Sequence, residues 1–140
     1  MRELDECLRI TRKINEIRER IEELKSMAMT PRNQIISDMP KGGGTMNATE
    51  NYIIRLEKLE SQIKLLQKER AEAWNVVSDM LHELNRREEV KTMLWLRFCN
   101  GYSWKKCVAK LEEKYPSETW NTNKCFRIYR SFLHKIRSEN

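Results

Sequence analysis

Apolar residues near the start of the chain return alternately every three and four positions: Cys7, Ile10, Ile14, Ile17, Ile21, Leu24 and Ala28. Only an α-helix places such positions on one stripe, and a stripe this narrow is a seam that needs a facing partner. No Gly or Pro interrupts Leu4 to Met29, and the run stops at Thr30-Pro31, where the residue before proline resists the helical region. A second seam follows in Tyr52, Leu56, Leu59, Ile63 and Leu66, and after Arg70 it resumes in Ala73, Val77, Met80 and Leu84. A cation on a seam marks either a register device or the point where the partner helix ends. The first helix is the shorter, so the second reading is natural, and it frees Trp74 to Leu84 to pack on the C-terminal unit. Between the seams, a loop at about 31–48 holds Gly42, Gly43 and Gly44, three of the four glycines of the chain. Residues 1–84 therefore predict a long, coiled-coil-like antiparallel hairpin, its seams closed on each other or against a second copy of the chain.

Lys41 precedes the glycine run, which raises a phosphate-binding loop. The pattern G-x-x-x-x-G-K-[ST] is absent and no strand precedes it, so that chemistry is set aside.

Residues 85–140 read as three short helices. Arg86 to about Asn100 carries Val90, Met93, Leu94, Leu96 and Phe98 on its apolar side, and Asn100-Gly101 stops it. Ser103 is a good N-cap for a helix from Trp104 to about Tyr115, with Val108 and Leu111 inward and Pro116-Ser117 as breaker. The last helix begins near Trp120-Asn121 and runs to about Arg137, its inward positions being Cys125, Ile128 or Tyr129, Phe132 and Ile136. No run alternates apolar and polar residues as a strand would, so the fold class is all-α: the hairpin, then a tri-helical helix-turn-helix.

Charge narrows the function classes. Residues 1–45 carry a net +1 and residues 46–84 a net −2. Residues 85–140, with thirteen Lys/Arg against six Asp/Glu, carry +7, so the whole excess of the chain, +6, sits there. A basic excess confined to one segment suits a polyanion, because neutralised phosphates release condensed counterions. The longest apolar runs, such as Met93-Leu94-Trp95-Leu96, are far short of the roughly 18 residues of a membrane span. No signal peptide is expected at Met1-Arg2-Glu3-Leu4-Asp5. Cys7, Cys99, Cys107 and Cys125 lack metal-clip spacing, and His82 and His134 stand apart. Reduced thiols in a cytoplasmic protein, with no metal and no cofactor, are the expectation. Nothing nominates a nucleophile with its base, so no enzyme is expected.

The donor-rich side of the last helix is the candidate DNA-binding surface: Asn121, Thr122, Asn123, Lys124, Arg127, Arg130 and Ser131. Arg and Lys suit guanine O6 and N7, Asn suits adenine, and all of them can hold phosphates. Lys105, Lys106 and Lys110 on the preceding helix stand where phosphate contacts are expected. Lys124 and Arg127 are the residues expected in the major groove, with Lys105, Lys106 and Arg130 on phosphates.

The stretch Leu94-Trp95-Leu96-Arg97-Phe98-Cys99-Asn100-Gly101-Tyr102-Ser103-Trp104-Lys105-Lys106 resembles the L-R-Y-x-x-G-x-[ST]-W-x-x-I-A entry to the helix-turn-helix of sigma-factor region four. The chain is similar over most of its length to small phage and prophage transcription regulators of the ArpU/RinA type. That likeness includes the loop Ser37-Asp38-Met39-Pro40-Lys41-Gly42-Gly43-Gly44. The resemblance implies that Ser103 caps the bracing helix and Trp104 packs behind it. Val108-Ala109, or Cys107-Val108, would sit where the family has I-A. Asn121 would cap the recognition helix, and Arg127-Ile128-Tyr129 would match the family's R-I-[HY]. It further implies regulation of phage or prophage late genes in the bacterial cytoplasm, at the nucleoid, with double-stranded DNA and host RNA polymerase as partners and a homodimer as an option. One departure stands out: the link Glu112 to Trp120 is longer and more acidic than in region-four units. Either the first helix gains a turn or the crossing changes, which leaves the groove-facing residues open. The rival classes are a module that binds polymerase or another regulator without specific DNA binding, and a structural or DNA-packaging helper.

Overall fold

The computed structural model describes residues 1–28 and 43–139, with side chains from residue 48 to 137 in the second stretch. Its elements are α1 (Arg2–Ala28), α2 (Gly43–Glu83), α3 (Glu88–Leu94), a π-helical turn (Trp95–Cys99), α4 (Trp104–Lys114) and α5 (Thr122–Glu139). No strand occurs among the described residues, and the fold is all-α. Most of the expected loop at 31–48, with Ser37 to Lys41, lies outside the described residues. α2 begins at Gly43, ahead of the start expected near Thr49, because glycine weakens a helix by about 1 kcal/mol without forbidding it.

The chain divides into two compact units, Lys13–Lys68 and Met1–Arg12 with Glu69–Asn140, so α1 and α2 each contribute to both. In the first unit Ile14, Ile17 and Ile21 are buried, and Leu24 faces the half-buried Leu59. Ile17 lines a hollow with Leu65 and Leu66, and Leu24 one with Leu59, so the two seams run antiparallel beside each other within one chain. Ala28, expected at the end of the seam, is exposed.

The second unit does not follow the boundary expected at residues 84/85. Its core joins Leu4 and Cys7 of α1 and Trp74, Val77 and Leu81 of α2 to the C-terminal helices. Those supply Val90, Met93, Leu94, Phe98, Cys99, Leu111, Trp120, Cys125 and Phe132. Each fully buried Leu or Phe in such a core contributes about 1.5–3 kcal/mol. Arg70 does not mark the end of the partner helix either, since α1 continues beside it. Its Nη1 donates to Thr11 Oγ1 at 3.1 Å and to the Cys99 carbonyl at 2.8 Å. Thr11, only 2% exposed, has its hydroxyl within reach of the Cys7, Phe98 and Cys99 carbonyls, at 2.8, 3.1 and 3.0 Å. This polar junction ties α1 and α2 to the end of the π turn.

The π turn sets the phase of the segment that follows Met93-Leu94. Asn100 N–H donates to the Trp95 carbonyl at 3.0 Å, one residue further back than in an α-helix. The added residue makes Phe98 and Cys99 the next inward pair and keeps Arg97 on the rim, half-buried. Trp95 swings out to 38% exposure, its ring edge-on to Trp74 at 5.1 Å. Gly101, at φ 74°, supplies the left-handed residue that ends the segment, as its position predicted. Asn85, at φ 54°, does the same between α2 and α3 and is one of the few side chains that tolerates it.

Candidate nucleic-acid interface

α4 and α5 start at side-chain caps. Ser103 Oγ accepts from Lys106 N–H at 3.2 Å, as its sequence position predicted, and Asn121 Oδ1 accepts from Lys124 N–H at 2.8 Å, the cap that the resemblance implied. α4 reaches Lys114, which shortens the link to 115–121. That link is packed from within. The Tyr115 hydroxyl and Thr92 Oγ1 share a hydrogen bond at 2.9 Å, and Trp120, 4% exposed, donates from Nε1 to the Tyr115 carbonyl at 3.3 Å. Glu118 binds Arg87 at 2.8 Å and Lys124 at 3.2 Å. The Lys124 hydrogen bond, and then Arg87, hold the Glu118 carboxyl below its usual range against a desolvation that works the other way. The acidic residue of the turn thus neutralises the base of α5 instead of facing a ligand.

Lys124, expected in the major groove, is committed to this turn. Its Nζ also donates to the Thr119 carbonyl at 3.0 Å and lies 4.4 Å from the Trp120 ring. Helical side chains lean toward the N-terminus of their helix, so a lysine in the first turn reaches back onto the link. Lys124 therefore drops out of the groove-facing set.

The other expected residues of α5 are exposed. Asn123, Arg127 and Arg130 recur at four- and three-residue spacing, opposite the buried Cys125 and Phe132, and so share the outer face. Arg127 and Arg130 have no hydrogen bond or ion pair among the described residues. Thr122 is exposed at the helix start, and Asn121 is exposed with its carbonyl oxygen used by the cap. Ser131 sits to one side, where its Oγ accepts from Arg86 at 3.1 Å. His134 and Arg137 continue the Asn123–Arg127–Arg130 ridge. Sequence reasoning passed over both, although the same spacing carried forward from Arg130 reaches them. From Thr122 to Ser138 the helix has no carboxylate, its first being Glu139.

On α4, Lys105, Lys106 and Lys110 are exposed. The Lys106 ammonium rests 4.2 Å from the Tyr102 ring. The acidic residues of α4, Glu112 and Glu113, lie in its last turns, away from Lys105 and Lys106. Between the two helices Trp104 contacts Phe126 at 5.2 Å and Tyr129 at 5.8 Å, and Arg97 lies 5.4 Å from the Trp104 ring. This aromatic wedge fixes α5 against α4, so the ridge sits on a rigid support. Trp104 thus packs behind the cap, the place the resemblance gave it. Burial of Tyr129 raises its phenol above the ordinary value, which keeps it neutral inside the wedge.

Among the described residues no group of three or more His, Cys, Asp or Glu side chains could hold a metal, and no helix is long and apolar enough to cross a membrane. No family model, curated protein or solved structure matches the chain.

Proposed function

We propose that the chain is a sequence-specific reader of double-stranded DNA that regulates transcription, with α5 as its recognition helix. The observation that carries this is the ridge Asn123–Arg127–Arg130–His134–Arg137, on the exposed face of a helix with no carboxylate before Glu139. In a helix-turn-helix the first turns of the second helix meet base edges and the first helix braces on the backbone. Thr122, Asn123 and Arg127 then read bases, Arg130 and Arg137 hold phosphates, and Lys105, Lys106 and Lys110 of α4 add phosphate contacts. The role in phage or prophage late-gene control, with contact to host RNA polymerase, follows the resemblance to ArpU/RinA-type regulators and is part of this proposal.

The test is selection from a random duplex pool at near-physiological salt, with wild type beside Arg127→Ala and Arg127→Ala/Arg130→Ala. A discrete motif should emerge with wild type. Arg127→Ala should relax it at one position by about 1–3 kcal/mol, and the double variant should lose it. Lys124→Ala is the wrong probe, because it opens the turn that positions α5. Absence of any motif would sink the reading. Capture of polymerase that survives nuclease, without a motif, would replace it with the interaction-module alternative.

A further inference from the structure

The unit Lys13–Lys68 carries a groove that the α5 surface does not use. Two adjoining hollows between α1 and α2 share Arg20 and Gln62. The larger, about 410 Å³, is floored by Ile17, Leu65 and Leu66, and the smaller, about 260 Å³, by Leu24 and Leu59. Leu65 is 61% exposed and Ile54 58%. They stand eleven residues apart, three helical turns, and so on one face of α2. Leu65 lines the larger hollow, and a large aliphatic side chain left this open there, with Ile54 further along the same face, marks a surface that gains from being covered.

The rim identifies what covers it. Lys13 and Arg20 of α1 and Arg55 and Lys58 of α2 border the hollows, against one carboxylate, Glu16. None of these four cations makes an ion pair among the described residues. The hairpin has carboxylates enough to pair them, yet on this face the positive charge is left open.

We propose that this groove docks an acidic amphipathic helix of a partner protein. An apolar floor walled by two helices accepts a third whose anchors fall at i, i+3 or i+4 and i+7. The rim requires Asp or Glu on the flanks of that stripe. From Lys13 to Leu24 the floor and rim extend about 16 Å along α1, so the occupant spans about three turns. A nucleic-acid backbone would satisfy the four cations but offers nothing to bury on Leu24, Leu59 and Leu65. A second copy docking by the same face would bring the cationic rim against itself. An acidic amphipathic helix meets both demands.

Two synthetic helices test this, with the same leucine stripe and flanks of Glu in one and Lys in the other. Each is labelled and titrated with the full chain by fluorescence anisotropy. The Glu helix should bind and the Lys helix should not. Arg20→Glu/Arg55→Glu should weaken the Glu helix by roughly tenfold or more and gain affinity for the Lys helix. That exchange of preference cannot come from a misfolded variant. Leu65→Ser should weaken the Glu helix with no such exchange. Four results overturn the proposal: equal binding of both helices, binding of neither, a Glu-helix affinity untouched by the charge reversal, or displacement of the Glu helix by duplex DNA. Sedimentation that shows a dimer of the chain split by Leu65→Ser would assign the groove to a second copy instead. Duplex selection with Arg20→Glu/Arg55→Glu should return the wild-type motif, so this proposal and the α5 reading fail separately.

Discussion

Arg70→Met tests the polar junction at the end of the π turn. Met keeps the apolar stem on the seam and removes the guanidinium, with its bonds to Thr11 Oγ1 at 3.1 Å and the Cys99 carbonyl at 2.8 Å. A hydrogen bond from a charged donor contributes about 1.5–3 kcal/mol, and a buried carbonyl left unpaired costs about 1–3 kcal/mol. The Thr11 hydroxyl has one proton for three carbonyls, those of Cys7, Phe98 and Cys99. It cannot replace Arg70 at Cys99 while serving another. The expected loss is about 2–3 kcal/mol for Arg70→Met and about 1–2 kcal/mol for Thr11→Val, where Arg70 still serves Cys99. The double variant should depart from additivity by about 0.5–3 kcal/mol, because the two side chains share one acceptor. Urea titration followed by tryptophan emission is the assay. Trp74, Trp95, Trp104 and Trp120 all belong to the unit that holds the junction, so emission reports that unit while far-ultraviolet circular dichroism follows both. If Arg70→Met unfolds within about 0.5 kcal/mol of wild type, the junction is not a stability element and the reasoning fails.

Two further expectations concern pH. The Glu118 carboxyl is held low by Lys124 and then Arg87, so its contribution is present above the usual carboxylate value of 4.5 and is lost as pH falls through its folded value. The stability gap between wild type and Glu118→Gln should therefore close on acidification below that value, and a gap unchanged between neutral and acid pH would refute it. Burial pushes the Cys107 thiol up to about 11 from its ordinary 9.0, and burial also raises Cys125. The hydrogen bond to Cys7 raises Cys99 and lowers Cys7. Unfolded thiols ionise near 9 while a raised one stays protonated in the fold, so stability should fall as pH rises from 9 through about 11. Cys107→Val should flatten that decline in a thermal-melt series, and an identical decline in the variant would assign it to other groups.

The sequence alone determined the helices and most of their ends, the start of α2 and the π turn excepted, because those depend on local chemistry. Seam spacing, the cap Ser103 and the left-handed Gly101 act within a turn or two of their own position and are legible without the fold. The inward set Cys125, Phe132 and Leu111 followed from the same periodicity. Three matters needed the tertiary structure. Arg70 read as the end of a partner helix because its acceptor, the Cys99 carbonyl, lies 29 residues away and no local pattern announces it. The packing of Trp74 to Leu84 on the C-terminal unit was legible from the seam, but the place of Met1–Arg12 in that unit was hidden for the same reason. Leu4 and Cys7 look like ordinary seam residues, and only the packed structure joins them to Phe98 and Phe132 in one core. The π turn shifted the helix phase by one residue, so a 3.6-residue count could not give Cys99 as an inward partner of Phe98. Lys124 illustrates the limit at the candidate site. Its residue type and exposed-looking position suited a groove contact, but Glu118, the Thr119 carbonyl and the Trp120 ring were already within its reach. Composition places a cation on a helix, and whether its charge faces outward depends on which partners the fold brings to it.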